Sequence, residues 1–321
     1  MGLARLSVST VVVVWLLVVA GGIVRVTGSG MGCGPDWPLC NGQVVPVFQL
    51  ETLIEFVHRL VAAGGSVLAL ATIYAAWHTR RHEPWIARPA IAAGLVLLVQ
   101  IVLGAITVML ELASTVVTVH LAVAAVLLAL LTVIATVAST QQRVGVAGRH
   151  DRLFGLALLT TGATFVLILI GSYMMGVGAG LGCTTFPLCN GGYLLPPGQG
   201  AQIHMLHRLA AGLVGLLVLA TFVQAWRSPR RDRSLSATAG LVGVIYVSQV
   251  LVGIATVVFI MPPALRVAHL ALAFALWATL VALCVLARPR STETAALASD
   301  TAGDPGSRPE VLSLVARGKA S

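Results

Sequence analysis

TVVTVHLAVAAVLLALLTVIATVAS, residues 115–139, runs without a charged side chain and carries His120 as its lone ionisable group. About 20 such residues are enough to cross a bilayer as a helix. Seven more apolar stretches of spanning length stand at residues 8–27, 53–78, 89–110, 153–176, 203–226, 236–260 and 265–287. Hydrocarbon offers the backbone no hydrogen-bond partner, so helices are the expected form. The composition agrees. Of 321 residues, 58% are apolar and 10% are charged, against about 25% charged in soluble domains. That excludes an ordinary soluble enzyme, and also a nucleic-acid-binding domain despite the net charge of +9. With 6% aromatic residues and long continuous apolar runs, an aromatic-girdled barrel is excluded as well. The sequence predicts an all-α polytopic membrane protein with eight transmembrane helices.

The basic residues orient it. Arg80, Arg81 and Arg88 lie between spans 2 and 3; Arg143, Arg149 and Arg152 between spans 4 and 5; and Arg227, Arg230, Arg231 and Arg233 between spans 6 and 7. Arg5, Arg288 and Arg290 flank the ends, whereas loops 28–51 and 177–202 contain no Lys or Arg. By the positive-inside rule both termini are cytoplasmic and those two loops face outward. Ala20-Gly21-Gly22 after the first apolar core has the look of a cleavage site; retention is expected, because the residues that follow enter a repeat. Residues 291–321, rich in Ser, Thr, Ala, Gly and Pro, read as a disordered cytoplasmic tail.

The repeat is a duplication of the whole spanning region. Gly28-Ser29-Gly30-Met31-Gly32-Cys33 matches Gly178-Ala179-Gly180-Leu181-Gly182-Cys183 at an offset of 150. The offset then becomes 149, pairing Trp37-Pro38-Leu39-Cys40-Asn41-Gly42 with Phe186-Pro187-Leu188-Cys189-Asn190-Gly191. It also pairs His58-Arg59-Leu60 with His207-Arg208-Leu209, Leu103-Gly104 with Val252-Gly253, and His120-Leu121-Ala122 with His269-Leu270-Ala271. The expectation is two tandem four-helix bundles, residues 8–139 and 153–287, related by a pseudo-two-fold as a parallel repeat.

Eight histidines are present. His78, His82 and His150 fall in arginine-bearing loops and read as solvated. His58, His120, His204, His207 and His269 lie in or at the edge of spans, where an ionisable group is functional by default. Four of them obey the repeat, roughly four to six residues inside the outward ends of even-numbered spans. Two imidazoles on facing helices at one depth can ligate a single iron from both sides, and bundles place haem in this way. A zinc or copper site fits less well, since no third or fourth ligand accompanies each pair. Ala62-Ala63-Gly64-Gly65 and Ala210-Ala211-Gly212, which follow the histidines, serve close helix packing, room for a flat macrocycle, or both. Arg59 and Arg208 can reach the outer interface, either to meet a haem propionate or to snorkel, and Arg25 is a third candidate for a propionate or outer-edge contact.

Where the halves differ, chemistry is expected. Glu55 stands three residues before His58, on the same helical face; the matching position is His204. A lone carboxylate at that depth suits a proton acceptor or a stabiliser of positive charge, or else a structural bond to a neighbouring helix. Arg25 and Asp36 also lack counterparts, and Glu51 reads as solvated. Cys33 and Cys40, and Cys183 and Cys189, can each form a local disulfide on an oxidising side; for the first pair, structural and redox roles both stand. Cys284 reads as a packing residue.

Arg25-Val26-Thr27-Gly28-Ser29-Gly30, then Cys33, Asp36-Trp37-Pro38-Leu39-Cys40, and Glu55-x-x-His58-Arg59 together resemble the bacterial heme A synthase family, over about residues 8–290. The resemblance implies oxidation of a methyl group of heme O to a formyl group, through successive hydroxylations, to give heme A for aa3-type cytochrome oxidase. It implies substrate or product haem on His58 and His120, haem b on His207 and His269, and Glu55 as the acid–base or cation-stabilising residue. Cys33–Cys40 would then match the family's outer-loop pair, proposed to pass reducing equivalents. The implied setting is the bacterial cell membrane and its lipid. A heme O synthase is the donor, cytochrome oxidase assembly is the destination, the electron acceptor is unidentified, and a homo-oligomer is compatible. A diheme b-type electron-transfer protein handling quinol is the alternative. It explains four histidines but not a carboxylate in one half only. A haem carrier fits poorly with sites at matched depth.

Overall fold

The computed structural model describes residues 2–47, 49–140, 152–228 and 232–288. Eight helices form: α1 (Leu3–Val26), α2 (Leu50–Arg80), α3 (Pro84–Met109), α4 (Ser114–Thr140), α5 (Arg152–Gly176), α6 (Gln199–Arg227), α7 (Arg233–Val258) and α8 (Pro263–Leu286). Each is long and apolar enough to cross a membrane. Among the described residues the other regular structure is two short 3-10 turns, Ser29–Met31 and Ala179–Leu181, and two isolated bridges. The chain is an all-α, multi-pass membrane protein. The expected tail 291–321, and with it Arg143, Arg149, His150, Arg230, Arg231 and Arg290, lies outside the described residues.

Every expected span is a helix, but several start earlier than hydropathy suggests: α1 at Leu3 rather than 8, α2 at Leu50 rather than 53, α6 at Gln199 rather than 203. The reason is that hydropathy registers the hydrocarbon core, whereas the hydrogen-bond ladder continues into the polar interface. Leu53 N–H already donates to Gln49 O at 2.8 Å, and Gln202 N–H to Gly198 O at 3.1 Å. At 1.5 Å per residue, the 31 residues of α2 span about 46 Å, beyond the roughly 30 Å of hydrocarbon.

In the first half α1, α2, α3 and α4 pack in a closed ring, each against the next and α4 against α1, so that α2 and α4 face one another across the diagonal. The second half repeats this with α5 to α8. The halves join where α1 meets α8, α4 meets α8 and α4 meets α5. Leu127, Leu128 and Leu131 of α4 are buried there with Phe274, Trp277 and Val281 of α8, Val14 and Val18 of α1 and Ile168 of α5. Indole N–H groups in an apolar interior need acceptors. Trp15 Nε1 donates to Ala271 O at 2.9 Å and Trp277 Nε1 to Ala125 O at 2.8 Å, so each indole ties one half to the other. At the arginine-bearing end, Arg288 lies between the rings of Trp85 (4.0 Å) and Phe154 (4.5 Å). The outer helices α2, α3, α6 and α7 turn Leu70, Leu98, Leu216 and Val244 outward, as lipid-facing surfaces require.

Each half also carries one buried hydroxyl pair. Thr10 Oγ1 and Thr72 Oγ1 are 2.6 Å apart between α1 and α2, and Thr160 Oγ1 and Thr221 Oγ1 are 2.7 Å apart between α5 and α6. All four threonines are fully buried. Interhelical bonds of this kind contribute about 0.6–1.7 kcal/mol in membrane proteins. Thr72→Val and Thr160→Val are each expected to destabilise by about that amount, read as a lowered midpoint of thermal unfolding in detergent.

Candidate functional site

The site is built at the end of the bundle that carries the cysteines. α1 and α5 stop at Gly28 and Gly178, both in the left-handed region (φ 72° and 73°). The chain then makes a 3-10 turn and enters a short loop closed by Cys33–Cys40 or by Cys183–Cys189; both disulfides are formed. Gly32 lies against the first turn of α2 so closely that a Cβ there would sit 2.5 Å from the carbonyl of Glu51, and Gly182 meets Gly200 O in the same way. Only glycine allows that approach, which seats each disulfide loop on the helix bearing the first histidine.

Arg59 and Arg208 fasten the loops. Arg59 Nη1 donates to Asp36 O (3.2 Å) and Leu39 O (2.8 Å). Its Nη2 and Nε reach Glu55 Oε1 at 2.6 and 3.1 Å. Arg208 Nη1 donates to Thr185 O (2.7 Å) and Pro187 O (3.2 Å), and Nη2 to Cys183 O (3.2 Å). Glu55, only 3% exposed, accepts the Cys33 N–H on Oε2 at 2.8 Å, so both carboxylate oxygens are engaged. His204 takes the same position in the second half: its Nδ1 accepts the Cys183 N–H at 3.3 Å. The two unlike residues thus share one task, receiving the N–H of the first cysteine, and differ in charge. Asp36 and Glu51 are exposed, as are His78 and His82. Cys284 is free and partly buried, with its sulfur 3.2 Å from Thr161 Oγ1.

The four repeating histidines lie on the diagonal helices. His58 and His207 come eight residues after Leu50 and Gln199, and His120 and His269 six residues after Ser114 and Pro263. The longer count on α2 and α6 reflects their additional turns in the polar interface. At 1.5 Å per residue the histidines stand about 12 and 9 Å from their helix starts. The His207 and His269 ring centroids are 6.4 Å apart, inclined at 66°. An ion bound about 2 Å from one nitrogen of each of two imidazoles sets ring centroids roughly 6 Å apart, which is the spacing of the second pair.

The neighbours of these rings are small or amide-bearing. A Cβ added at Gly21 would lie 3.3 Å from His58 Cε1; at Gly104, 3.4 Å from His120; at Gly171, 3.0 Å from His207; and at Gly253, 3.0 Å from His269. Each odd-numbered helix therefore presents a glycine to a ring. Gln100 Nε2 stands 3.2 Å from His120 Nε2, and Gln249 Nε2 stands 3.3 Å from His269 Nε2. Nδ1 of all four histidines is buried with no hydrogen-bond partner, as are Oε1 of Gln100 and Gln249. Unpaired polar atoms in an apolar interior are costly, and concentrated on paired imidazoles they fit a metal centre that uses a ring nitrogen from each side. Among the described residues no group of three or more His, Cys, Asp or Glu converges. Two protein ligands per centre fit a macrocycle that supplies the remaining ones.

Gln100, Gln249, Gly21 and Gly171 escaped the sequence reading, although the duplication marks them: Gln100 and Gln249 are 149 apart, Gly21 and Gly171 150 apart. Of the small residues after His58 and His207, a Cβ at Gly65 would meet Val13 and Leu17 of α1, whereas one at Gly64 or Gly212 would meet nothing within 4 Å.

Fold and site together define a polytopic helical membrane protein with a paired-imidazole pocket in each of two repeated halves, each beside a disulfide-closed loop. The family model described as COX15-CtaA, cytochrome oxidase assembly protein, matches residues 4–281, and the chain belongs to that family. Curated relatives named Heme A synthase include one from Shouchella clausii, 33% identical over 261 residues (80% of this chain, 87% of the relative). One from Bacillus licheniformis is 30% identical over 241 residues (73% and 78%). One from Symbiobacterium thermophilum is 30% identical over 310 residues (92% and 99%).

Arg208→Ala removes all three bonds to loop carbonyls. Amide hydrogen exchange across Cys183–Asn190 is expected to accelerate, while the membrane-embedded turns of α6 keep their protection.

Proposed function

We propose that the chain oxidises a methyl group of heme O to the formyl group of heme A, within cytochrome oxidase assembly, in a bacterial cell membrane. The observation that carries this reading is a pair of diagonal imidazoles with unpaired ring nitrogens in each half, next to a buried carboxylate present in the first half alone. Family membership and relatives named Heme A synthase support it.

In this reading the unit at residues 8–139 receives the substrate haem on His58 and His120, and the unit at 153–287 holds haem b on His207 and His269. Bound haem b supplies an iron that accepts and donates single electrons. The protein's own groups do the rest. Gln100 and Gln249 orient His120 and His269. When one ring nitrogen faces iron, the other carries a proton and needs an acceptor, and either Gln amide, turned about its terminal torsion, offers Oε1. The glycines at 21, 104, 171 and 253 leave the planes beside the rings free of side chains.

Glu55 holds a negative charge at the disulfide end of the first pocket, positioned by Arg59 and the Cys33 N–H. It can stabilise positive charge developing on the substrate or act as a proton acceptor. His204, without a carboxylate, cannot do this in the second half. Cys33–Cys40 is joined to that network through the Cys33 N–H, which seats the disulfide beside Glu55. The arginine distribution supports cytoplasmic termini and outward disulfide loops. A heme O synthase is the natural donor of so apolar a substrate. A quinol-linked diheme protein would use the four histidines and give no reason for the charge of Glu55 in one half alone.

The test is extraction of the haems from purified protein. Haem O or haem A is expected beside haem B; haem B alone, from cells that make heme O, would overturn the reading. Glu55→Gln keeps an acceptor for the Cys33 N–H and loses the charge. It is expected to retain both haem spectra and lower heme A formation about 100-fold or more. Undiminished heme A would remove Glu55 from the mechanism. His269→Ala is expected to disturb the haem b spectrum first; unchanged spectra would break the pairing of His207 with His269.

A further inference from the structure

The two seams that join the halves are related by the pseudo-two-fold, yet their chemistry differs at the disulfide end. Where α4 meets α5, uncharged groups close the seam: Ser114 Oγ donates to Gly176 O at 2.6 Å, and Thr118 Oγ1 lies 3.1 Å from Ser172 Oγ. Where α1 meets α8, the positions corresponding to Met175 and Val117 are Arg25 and Arg266. The backbone of α1 comes close to α8 here, since a Cβ on Gly22 would meet Leu270 Cδ2 at 2.6 Å. One helical turn further out, three residues after Gly22 and four before Leu270, are the two arginines. Both therefore stand at the disulfide end of the same seam, one on each helix. Arg266 Nε is buried without a hydrogen-bond partner. The ion pairs among the described residues, Arg59–Glu55 and Arg80–Glu83, involve neither arginine.

Guanidinium groups within a membrane protein are expensive without anions to meet them. Their registers say where those anions come from. Arg25 follows Gly21, which borders the His58 ring, by one turn on α1. Arg266 precedes His269 by one turn on α8. Each arginine therefore stands one turn outside a different pocket, and the two meet in the middle. Guanidinium forks match carboxylates in a bidentate fashion.

We propose that Arg25 and Arg266 form a paired-guanidinium clamp for the propionate carboxylates of the haems in the two pockets, linking the sites across the α1–α8 seam. This rests on the two-haem reading above and adds a site shared by the halves. The clamp holds carboxylates of one haem on Arg25 and of the other on Arg266, and the shared field couples the two irons. A positive charge beside a propionate favours reduced iron, so losing it lowers the midpoint potential.

The test uses full-length, haem-loaded protein in detergent, as wild type, R25Q, R266Q, the double variant, R25K and R266K. Haem content, spectroelectrochemical midpoint potentials and the rate of haem transfer to apomyoglobin are measured. R266Q is expected to lower the haem b potential and R25Q that of the substrate-pocket haem. Each is expected to speed loss of its own haem about tenfold, the effect of one lost charge-assisted bond. The lysine variants should recover part of the potential. In the double variant the shifts should be non-additive, because the two groups share one field. Two retained haems with wild-type potentials and transfer rates in R25Q and R266Q would overturn the clamp alone. So would wild-type potentials accompanied by loss of co-purifying phosphatidylglycerol, which would assign the pair to a lipid phosphate. A wild-type protein that holds fewer than two haems would overturn the pocket reading, and the clamp with it. Circular dichroism checks folding, and if R266Q does not fold, R25Q decides the clamp by the same potentials and transfer rates.

Discussion

Hydrocarbon cannot hydrogen-bond, and the rest of this structure follows from that constraint. It forces the chain into helices, makes each indole and hydroxyl inside the bundle find a partner on its own helix or another, and leaves any exception conspicuous. Trp15, Trp277 and the Thr10–Thr72 and Thr160–Thr221 pairs obey it with neutral bonds between helices. The buried side-chain atoms that do not obey it are Nδ1 of four histidines, Oε1 of two glutamines and Nε of Arg266. All of them lie at the two imidazole pockets or the seam between them. The unsatisfied atoms are not scattered as packing faults would be. They mark where the bundle is built to meet something other than itself.

The duplication explains how one frame serves two uses. Both halves close a ring of four helices, bring a histidine from each diagonal helix inward, clear a glycine beside each ring and seat a disulfide loop on the helix that carries the first histidine. Divergence is confined to a few side chains on that frame. Glu55 and His204 both receive the N–H of the first cysteine, so the geometry survives the exchange while the charge does not. Arg25 and Arg266 replace neutral residues on one seam only. Function can diverge in this way at little structural cost, because each substitution lies at the rim and the packed interior between α4 and α8 is left alone.

Arg59 and Arg208 show how one sequence signal can hold two meanings. Next to a ligand histidine, an arginine long enough to reach the interface reads as a partner for a propionate. In the folded chain both guanidinium groups are committed to loop carbonyls, and in Arg59 also to Glu55. Their charge therefore organises the loop. It is Arg25, a further candidate for the same role, that stands without such a commitment, on the seam where the other half places Arg266.

Residue pattern alone determined the eight spans, the duplication, the four histidines and the special standing of Glu55. These are properties of composition, period and offset, and they do not depend on how helices are arranged. Gln100 and Gln249 were legible in principle, since they obey the same offset as the histidines, but an amide in a span carries no charge to draw attention. Arg266 was not legible as a partner of Arg25, because nothing in a linear sequence says that α1 lies against α8. Tertiary structure alone decided that Glu55 points at Cys33, that α2 and α4 are diagonal rather than adjacent, and that two like charges from opposite halves meet. The physical reason is the same in each case. A helix fixes its own faces through local hydrogen bonds, whereas the neighbour that a face meets is set by packing across the whole bundle.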